Sequence, residues 1–126
     1  MAARKKILLV DDSNTVLLMH RMLLKDDYEL IIANDGKAAV ELAAKEQPDL
    51  IFMDLVMPKM SGIDACRALR AEAKTRSIPV IMVTTRGEAQ NIEASYAAGC
   101  NEYIIKPFDS TELLAKLHNY LGAVTP

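Results

Sequence analysis

The sequence predicts an α/β fold, a doubly wound open sheet of five parallel strands with helices on both faces. Short β-branched and aliphatic runs recur without alternating polar residues, which is typical of parallel strands covered on both faces. These runs are residues 7–10, 30–33, 50–53, 80–83 and 103–105. Stretches of helical period lie between them, so strands and helices alternate, and right-handed crossovers are the connections that a twisted parallel sheet accepts.

Capping and breaking residues place the helix boundaries. Gly36 opens the second helix, Pro48 closes off its end, and Gly62 opens the third. Asp109 with Glu112 resembles a capping box before the last helix. Apolar residues at helical spacing indicate the third and fifth helices: Ile63, Cys66 and Leu69, then Leu113, Leu117 and Leu121.

The length and charge of the chain narrow its class. With 126 residues, 51% of them hydrophobic and 25% charged, it has the size and composition of one globular domain, residues 1–126 with a core of about 6–122. The net charge of -2 gives no reason to expect nucleic acid as a partner. The apolar run at 7–10 is too short for a leader or a membrane span, so we expect a cytoplasmic protein without membrane insertion.

The cysteines and histidines suggest no chemistry of their own. Cys66 and Cys100 match no metal-binding spacing, so we expect buried reduced thiols. His20 and His118 fall in helices remote from the acidic residues described next, and structural roles are expected for both.

Polar side chains follow four of the five strands at the point where each strand ends. Ligands of an open parallel sheet bind outside the carboxyl ends of the strands, so these side chains should meet at one edge. They are Asp11 and Asp12 after the first strand, Asp54 after the third, Thr84 and Thr85 after the fourth, and Lys106 after the fifth.

Such a cluster fits phosphoryl transfer onto an aspartate. Clustered carboxylates repel one another unless a cation compensates, and oxygen ligands without His or Cys suit Mg²⁺, with Mn²⁺ as the other candidate. A carboxylate beside a divalent metal can attack phosphorus, while a lysine and a hydroxyl hold the phosphoryl oxygens.

These residues resemble the response-regulator receiver family of two-component signalling, in its single-domain chemotaxis type. The resemblance covers about 6–122 and includes further motifs: Asn34-Asp35-Gly36, Met57-Pro58-Lys59-Met60-Ser61-Gly62, Ala98-Gly99 and Lys106-Pro107. It implies a flavodoxin-like (βα)5 fold with strand order 2-1-3-4-5 and a cis Lys106–Pro107 bond. It also implies a signalling phosphoacceptor that assists only its own phosphorylation and dephosphorylation, and therefore no enzyme.

The resemblance further implies the residue roles. Asp54 is the expected phosphoacceptor, and Asp11 and Asp12 hold Mg²⁺ with Asp54 and the backbone carbonyl of Val56. Lys106 pairs with the phosphoryl oxygens. In similar domains the threonine at the position of Thr84 swings toward the phosphoryl group, and the aromatic ring at the position of Tyr103 fills the space it leaves. Output leaves through the fourth helix, fifth strand and fifth helix.

Three positions at the rim of the pocket vary in this family. Val56 has no polar group to orient an attacking water, Arg86 places a long cation near the mouth, and Thr85 is bulkier than the common Ala or Gly. Two interpretations stay open. These residues slow spontaneous loss of phosphate, or they are neutral substitutions at a tolerant rim.

The first helix is apolar beyond what one buried stripe needs. Val16, Met19 and Leu23 supply the expected buried stripe. Leu17, Leu18 and Met22 then point outward and form an apolar patch, which we interpret as a surface for a histidine kinase or phosphotransfer protein. Packing of this patch under a neighbouring element is the alternative.

We expect the signal to be passed on by protein binding, since only 122–126 follow the fifth helix. A motility regulator, with an unknown downstream target protein, and a relay intermediate that hands phosphate to a phosphotransfer histidine both fit. A Mg²⁺-dependent aspartyl-phosphate phosphatase fits poorly, because Val56 stands where its general acid is expected. We expect a monomer or a weak dimer that depends on phosphorylation.

Overall fold

The computed structural model describes residues 4–122, in which five strands alternate with five helices. The strands are β1 (Lys6–Val10), β2 (Glu29–Ala33), β3 (Leu50–Met53), β4 (Val80–Thr84) and β5 (Glu102–Ile105). The helices are α1 (Asn14–Leu24), α2 (Gly36–Glu46), α3 (Gly62–Ala71), α4 (Ala89–Ala97) and α5 (Ser110–Leu121). The expected domain of 1–126 includes 1–3 and 123–126, which lie outside the described residues. In the described part, none of the helices has the length and apolar character needed to cross a membrane.

All strand pairs are parallel and the strand order is β2-β1-β3-β4-β5, which confirms the predicted fold. Successive side chains of each strand point to opposite faces, so each face has its own core. One core packs under α2 and α3 and includes Leu8, Ile51, Cys66 and Leu69. The other packs under α1 and α5 and includes Ile7, Phe52, Leu24, Leu113 and Leu117. The sheet is therefore packed on both faces, and this packing fixes the positions of the strand ends.

Side-chain caps fix where four of the helices begin. Ser13, Asp35, Ser61 and Asp109 each accept a hydrogen bond from a backbone N–H in the first turn of α1, α2, α3 and α5. Gly36 and Gly62 are the first residues of α2 and α3, as predicted. The predicted capping box does not form, since the Asp109 side chain caps the second residue of α5 and not the third. Asp109 accepts from the Thr111 N–H at 2.6 Å, but within residues 4–122 no hydrogen bond returns from the Glu112 side chain.

The buried face of α1 differs from the prediction. Leu17, His20 and Leu24 are buried, whereas Met19 is 63% exposed. The assignment of Leu17 to the outward patch was therefore wrong, since only 4% of it is exposed. The predicted and the observed stripe both have helical spacing. The observed one contains His20, so the fully apolar one was predicted to face the core. The helix is rotated by about one residue, roughly 100°, from the predicted orientation.

The two cysteines are free and buried, as predicted. Burial raises the pKa of the Cys100 thiol to about 12, and burial also raises that of Cys66. Both thiols are therefore protonated at neutral pH and poor nucleophiles.

Candidate functional site

The parallel ladder brings the predicted polar residues together at one edge. The N–H of Asp54 donates to the Val10 carbonyl at 2.9 Å, which places Asp54 beside the end of β1. The N–H of Lys106 donates to the Thr84 carbonyl at 2.7 Å, which aligns the ends of β4 and β5. The peptide bond between Lys106 and Pro107 is cis.

Asp11 and Lys106 form the buried ion pair of this edge. The Lys106 ammonium lies 2.9 Å from Oδ2 of Asp11, whose side chain is 4% exposed. Oδ1 of Asp11 accepts a hydrogen bond from the Ser13 N–H at 2.9 Å, so both oxygens have partners. Asp11 is thereby held between the start of α1 and the end of β5.

Asp54 is half-buried beside this pair. Its Oδ1 atom accepts from the Leu55 N–H at 2.8 Å, which fixes the carboxylate. Burial and then the negative charge of Asp11 raise the pKa of Asp54 above its ordinary value. Lys106, the Leu55 N–H and the Thr84 hydroxyl oppose that pKa shift. Burial is the largest of these causes, and the Lys106 ammonium does not offset burial and the Asp11 charge together.

The three carboxylates of the edge suit a divalent cation. Asp11, Asp12 and Asp54 each offer an oxygen, and these atoms lie within 4.8 Å of one another. Hard oxygen donors in this number fit a divalent metal of the Mg²⁺ type, which would supply the positive charge that the cluster lacks. The residues present therefore fit the metal that the sequence implied.

The loop after β4 connects the cluster with β5. The Thr84 hydroxyl accepts a hydrogen bond from the Arg86 N–H at 3.3 Å. The Tyr103 hydroxyl donates to the carbonyl of the same Arg86. The backbone of Arg86 is thus bonded to Thr84 of β4 and to Tyr103 of β5, and it links these two residues directly.

The three residues predicted to form the rim of the site are exposed on the surface. Thr85 and Arg86 are exposed, and Val56 is 52% exposed. Their side chains make no hydrogen bond or ion pair with any of residues 4–122, so their effect on the phosphoryl group stays a prediction.

Sequence reasoning missed an apolar groove beside the acidic edge. It has a volume of about 560 Å³ and lies between α1 and the loop that leads from β5 to α5. Its lining residues are Val16, Met19, His20, Met22, Leu23, Lys106, Pro107, Phe108 and Ser110. His20, expected to be remote from the site, instead packs between Phe52 and Phe108, with ring centroids 6.2 and 6.1 Å away. Burial, then the nearby Lys106 charge, lowers the pKa of His20, and Asp11 opposes this. The helical spacing of Leu17, His20 and Leu24 was the sequence signal that could have predicted the burial of His20.

Comparison with known proteins identifies this arrangement. The family of the response regulator receiver domain matches residues 7–118. The chain belongs to this family. It is therefore a receiver domain of two-component signalling, and its acidic edge is consistent with the phosphoacceptor site of such domains.

Two solved receiver structures superimpose closely on this receiver domain. The chemotaxis protein CheY4 of Vibrio cholerae is 33% identical and has a TM-score of 0.87. The match covers 94% of this chain and 99% of that one. The receiver domain of the sensor histidine kinase PA1611 of Pseudomonas aeruginosa is 32% identical and has a TM-score of 0.88. The match covers 96% of this chain and 100% of that one. In the PA1611 structure a magnesium ion is coordinated in the active-site cleft.

The curated relatives are longer proteins. The response regulator MprA of Mycolicibacterium vanbaalenii is 34% identical over 122 residues, which are 96% of this receiver domain and 52% of MprA. The histidine kinase P4 of Formosa agariphila is 35% identical over 118 residues, which are 94% of this chain and 9% of the kinase. The receiver domain thus spans about half of such a regulator and a small part of such a kinase.

Proposed function

We propose that Asp54 accepts a phosphoryl group from a histidine kinase or phosphotransfer protein in a reaction that depends on Mg²⁺. The observation that carries this proposal is the half-buried Asp54 carboxylate, held among the carboxylates of Asp11 and Asp12 with the Lys106 ammonium at the same edge. One Asp54 oxygen is engaged by the Leu55 N–H, which leaves the other as the nucleophile.

In this transfer a new P–O bond forms at Asp54 as the P–N bond to the donor histidine breaks, and the bonding electron pair stays with the imidazole nitrogen. Lys106 moves from Asp11 toward the phosphoryl oxygens, since its ammonium donates to either acceptor. The metal would be held by Asp11, Asp12, Asp54 and the Val56 backbone carbonyl. Mg²⁺, or Mn²⁺ in its place, supplies charge neutralisation when bound.

The two contacts on Arg86 support a switch. A phosphoryl group brings about -1.5 to -2 charges and is a strong acceptor to which the Thr84 hydroxyl can donate, whereas in the present structure that hydroxyl accepts from the Arg86 N–H. When Thr84 turns toward the phosphoryl group, the loop loses one of its two restraints, and Tyr103 is free to leave the Arg86 carbonyl and fill the vacated space. Phosphorylation then shifts populations because the two conformations bind the phosphoryl group unequally. The face formed by α4, β5 and α5 reports this shift to a downstream protein.

The phosphodonor protein docks over α1. Leu18 is 55%, Met19 63% and Met22 66% exposed, and the groove that Met19 and Met22 line also has Lys106 in its wall. A donor histidine must come within bonding distance of Asp54, so an apolar surface at this rim suits its approach.

We further propose that the receiver domain spans 1–126 and acts in the cytoplasm. It is a monomer, or a weak dimer when phosphorylated.

Intact-mass analysis after incubation with acetyl phosphate tests the phosphoacceptor. We expect one phosphoryl adduct that requires Mg²⁺ or Mn²⁺ and is absent from the Asp54→Asn variant. Asp64→Asn is the matched control, because Asp64 lies on the exposed side of α3 and, among residues 4–122, forms an ion pair with Arg67 alone. An adduct that persists in Asp54→Asn would place the phosphoacceptor elsewhere.

A further inference from the structure

The β3–α3 loop, residues 54–61, is tightly held where it leaves and rejoins the fold. The Gly62 N–H donates to the Leu55 carbonyl at 2.8 Å, which closes the loop into a compact turn. A Cβ atom on Gly62 would lie 2.2 Å from the Asp54 carbonyl oxygen, so this end of the loop has no room to shift. The middle of the loop contains Val56, whose carbonyl belongs to the proposed metal site.

The far side of the loop rests on the first residue of α2. A Cβ atom on Gly36 would lie 2.3 Å from the Met60 carbonyl oxygen and 2.9 Å from the Met60 Cβ atom. These distances are far below van der Waals contact, and the obstruction is largely backbone, which cannot rotate away as a side chain can. Only glycine at position 36 permits the loop to sit this close to α2.

A second contact joins the same two segments. The Lys59 ammonium lies 3.7 Å from Oδ2 of Asp35, and Lys59 has a φ of 67°, a left-handed conformation that is unfavourable for a residue with a side chain. Oδ1 of Asp35 caps α2 by accepting from the Ala38 N–H at 2.8 Å. The capping carboxylate of α2 therefore also holds the loop.

We propose that Gly36 is a positioning residue for the metal site, because the close approach it permits sets where the β3–α3 loop presents the Val56 carbonyl. Any side chain at position 36 pushes Met60 outward and moves the carbonyls of the loop relative to Asp11 and Asp12. The inference rests on the metal site of the proposed function. It predicts weaker Mg²⁺ binding from a residue that is not a ligand, as displaced supporting groups cause in other metal sites.

The test compares Gly36→Ala with Gly87→Ala in the full chain. Gly87 is a matched control, because its added Cβ would meet only the side chain of Ile105, at 3.3 Å. Titration of Mg²⁺ by calorimetry gives the dissociation constant, and thermal unfolding in EDTA reports the fold without metal. We expect roughly tenfold or weaker Mg²⁺ binding in Gly36→Ala and a change within about twofold in Gly87→Ala.

Three outcomes separate the inference from the proposed function. If Gly36→Ala unfolds cooperatively and binds Mg²⁺ as tightly as the wild type, Gly36 is a packing residue only and the inference is wrong. If the wild type itself binds no Mg²⁺, the proposed metal site fails and the inference with it. If Gly36→Ala does not fold, Lys59→Gly decides. It adds no atom to the contact, and the inference requires Mg²⁺ binding weakened by roughly twofold to fivefold, the range for loss of an exposed ion pair, whereas unchanged binding would overturn it.

Discussion

The Lys106 ammonium and the Asp11 carboxylate lie 2.9 Å apart although 95 positions separate them in the chain. This pair joins the end of the edge strand β5 to the end of the interior strand β1, at the edge of the sheet where Asp54 also lies. Lys106 offers the cluster its one short-range positive charge within residues 4–122. The same ammonium is thus a stabilising partner before phosphorylation and the proposed phosphoryl ligand after it.

Replacing Lys106 with methionine should destabilise the protein more in EDTA than in Mg²⁺. The substitution leaves Asp11 buried without a counter-charge, which costs about 3–5 kcal/mol when one partner of a buried pair is removed. A bound cation offsets part of that loss. Urea unfolding in both conditions measures the difference. Arg67→Met is the control, since both side chains of the Arg67–Asp64 pair are 61% exposed. Equal losses in EDTA and Mg²⁺ would contradict this account.

Asp54→Asn should raise the midpoint of thermal unfolding at neutral pH in EDTA. Burial and the charge of Asp11 raise the pKa of Asp54, so the folded protein holds this proton more strongly than the unfolded chain. The stabilising contribution is complete below the unfolded pKa of 3.8 and disappears as pH rises through the folded value. The gain from asparagine should therefore be largest near pH 7 and vanish toward pH 4. Scans across this range in EDTA would refute it if the gain grew on acidification.

His20 should make the fold sensitive to mild acid. Burial and the Lys106 charge lower its pKa, so the unfolded chain binds a proton more readily than the folded protein. The contribution of neutral His20 is complete above the unfolded pKa of 6.5 and is lost as pH falls toward the folded value. His20→Phe keeps a ring between Phe52 and Phe108 but removes this proton. Its unfolding free energy should fall less than that of the wild type between pH 7 and 5.

The strands and the acidic edge were predictable because their signals are local. Each strand is a continuous apolar run, and parallel strands necessarily end at the same edge of the sheet, so Asp11, Asp54 and Lys106 meet whatever the loops do. The face of α1 was not predictable in the same way. Most of its residues are apolar, so two stripes compete, and the choice depends on whether His20 finds a place between Phe52 and Phe108.

The contact of Gly36 with Met60 lay beyond sequence reasoning for another reason. The glycine was correctly placed at the start of α2, but its close approach to Met60 involves a loop 24 positions away. Such an approach depends on the path of the backbone in three dimensions, and no periodicity or spacing encodes it. The ion pair between Lys59 and Asp35 follows from the same path.

Val56→Asn should shorten the lifetime of the phosphorylated protein severalfold. Val56 is exposed at the rim and offers no hydrogen bond, whereas an asparagine amide can orient a water for attack on the phosphoryl group. Loss of the adduct by intact mass after removal of acetyl phosphate measures the rate. Arg86→Ala, at the same rim, tests separately whether a cation there retains the phosphoryl group. A wild-type half-life no longer than that of Val56→Asn would favour neutral substitution at the rim.

Polar substitution of Leu18 and Met22 should slow phosphotransfer from a phosphorylated histidine kinase or phosphotransfer domain by roughly tenfold, as loss of an interface anchor does. Both side chains are more than half exposed, so a Leu18→Ser, Met22→Gln double variant should fold normally. Leu17 must be left unchanged because it is buried in the core.

Labelling by acetyl phosphate, which under the proposed function needs Asp54 and Mg²⁺ but no docking surface, should stay at the wild-type rate in the double variant. Tyr96→Ser is the matched control, since Tyr96 is also an exposed apolar side chain but lies on α4. If both donors lose the same factor, the substitutions disturb the pocket and not an interface. If only the protein donor is affected, and only in the α1 variant, the phosphodonor approaches Asp54 over α1, along the groove whose wall includes Lys106.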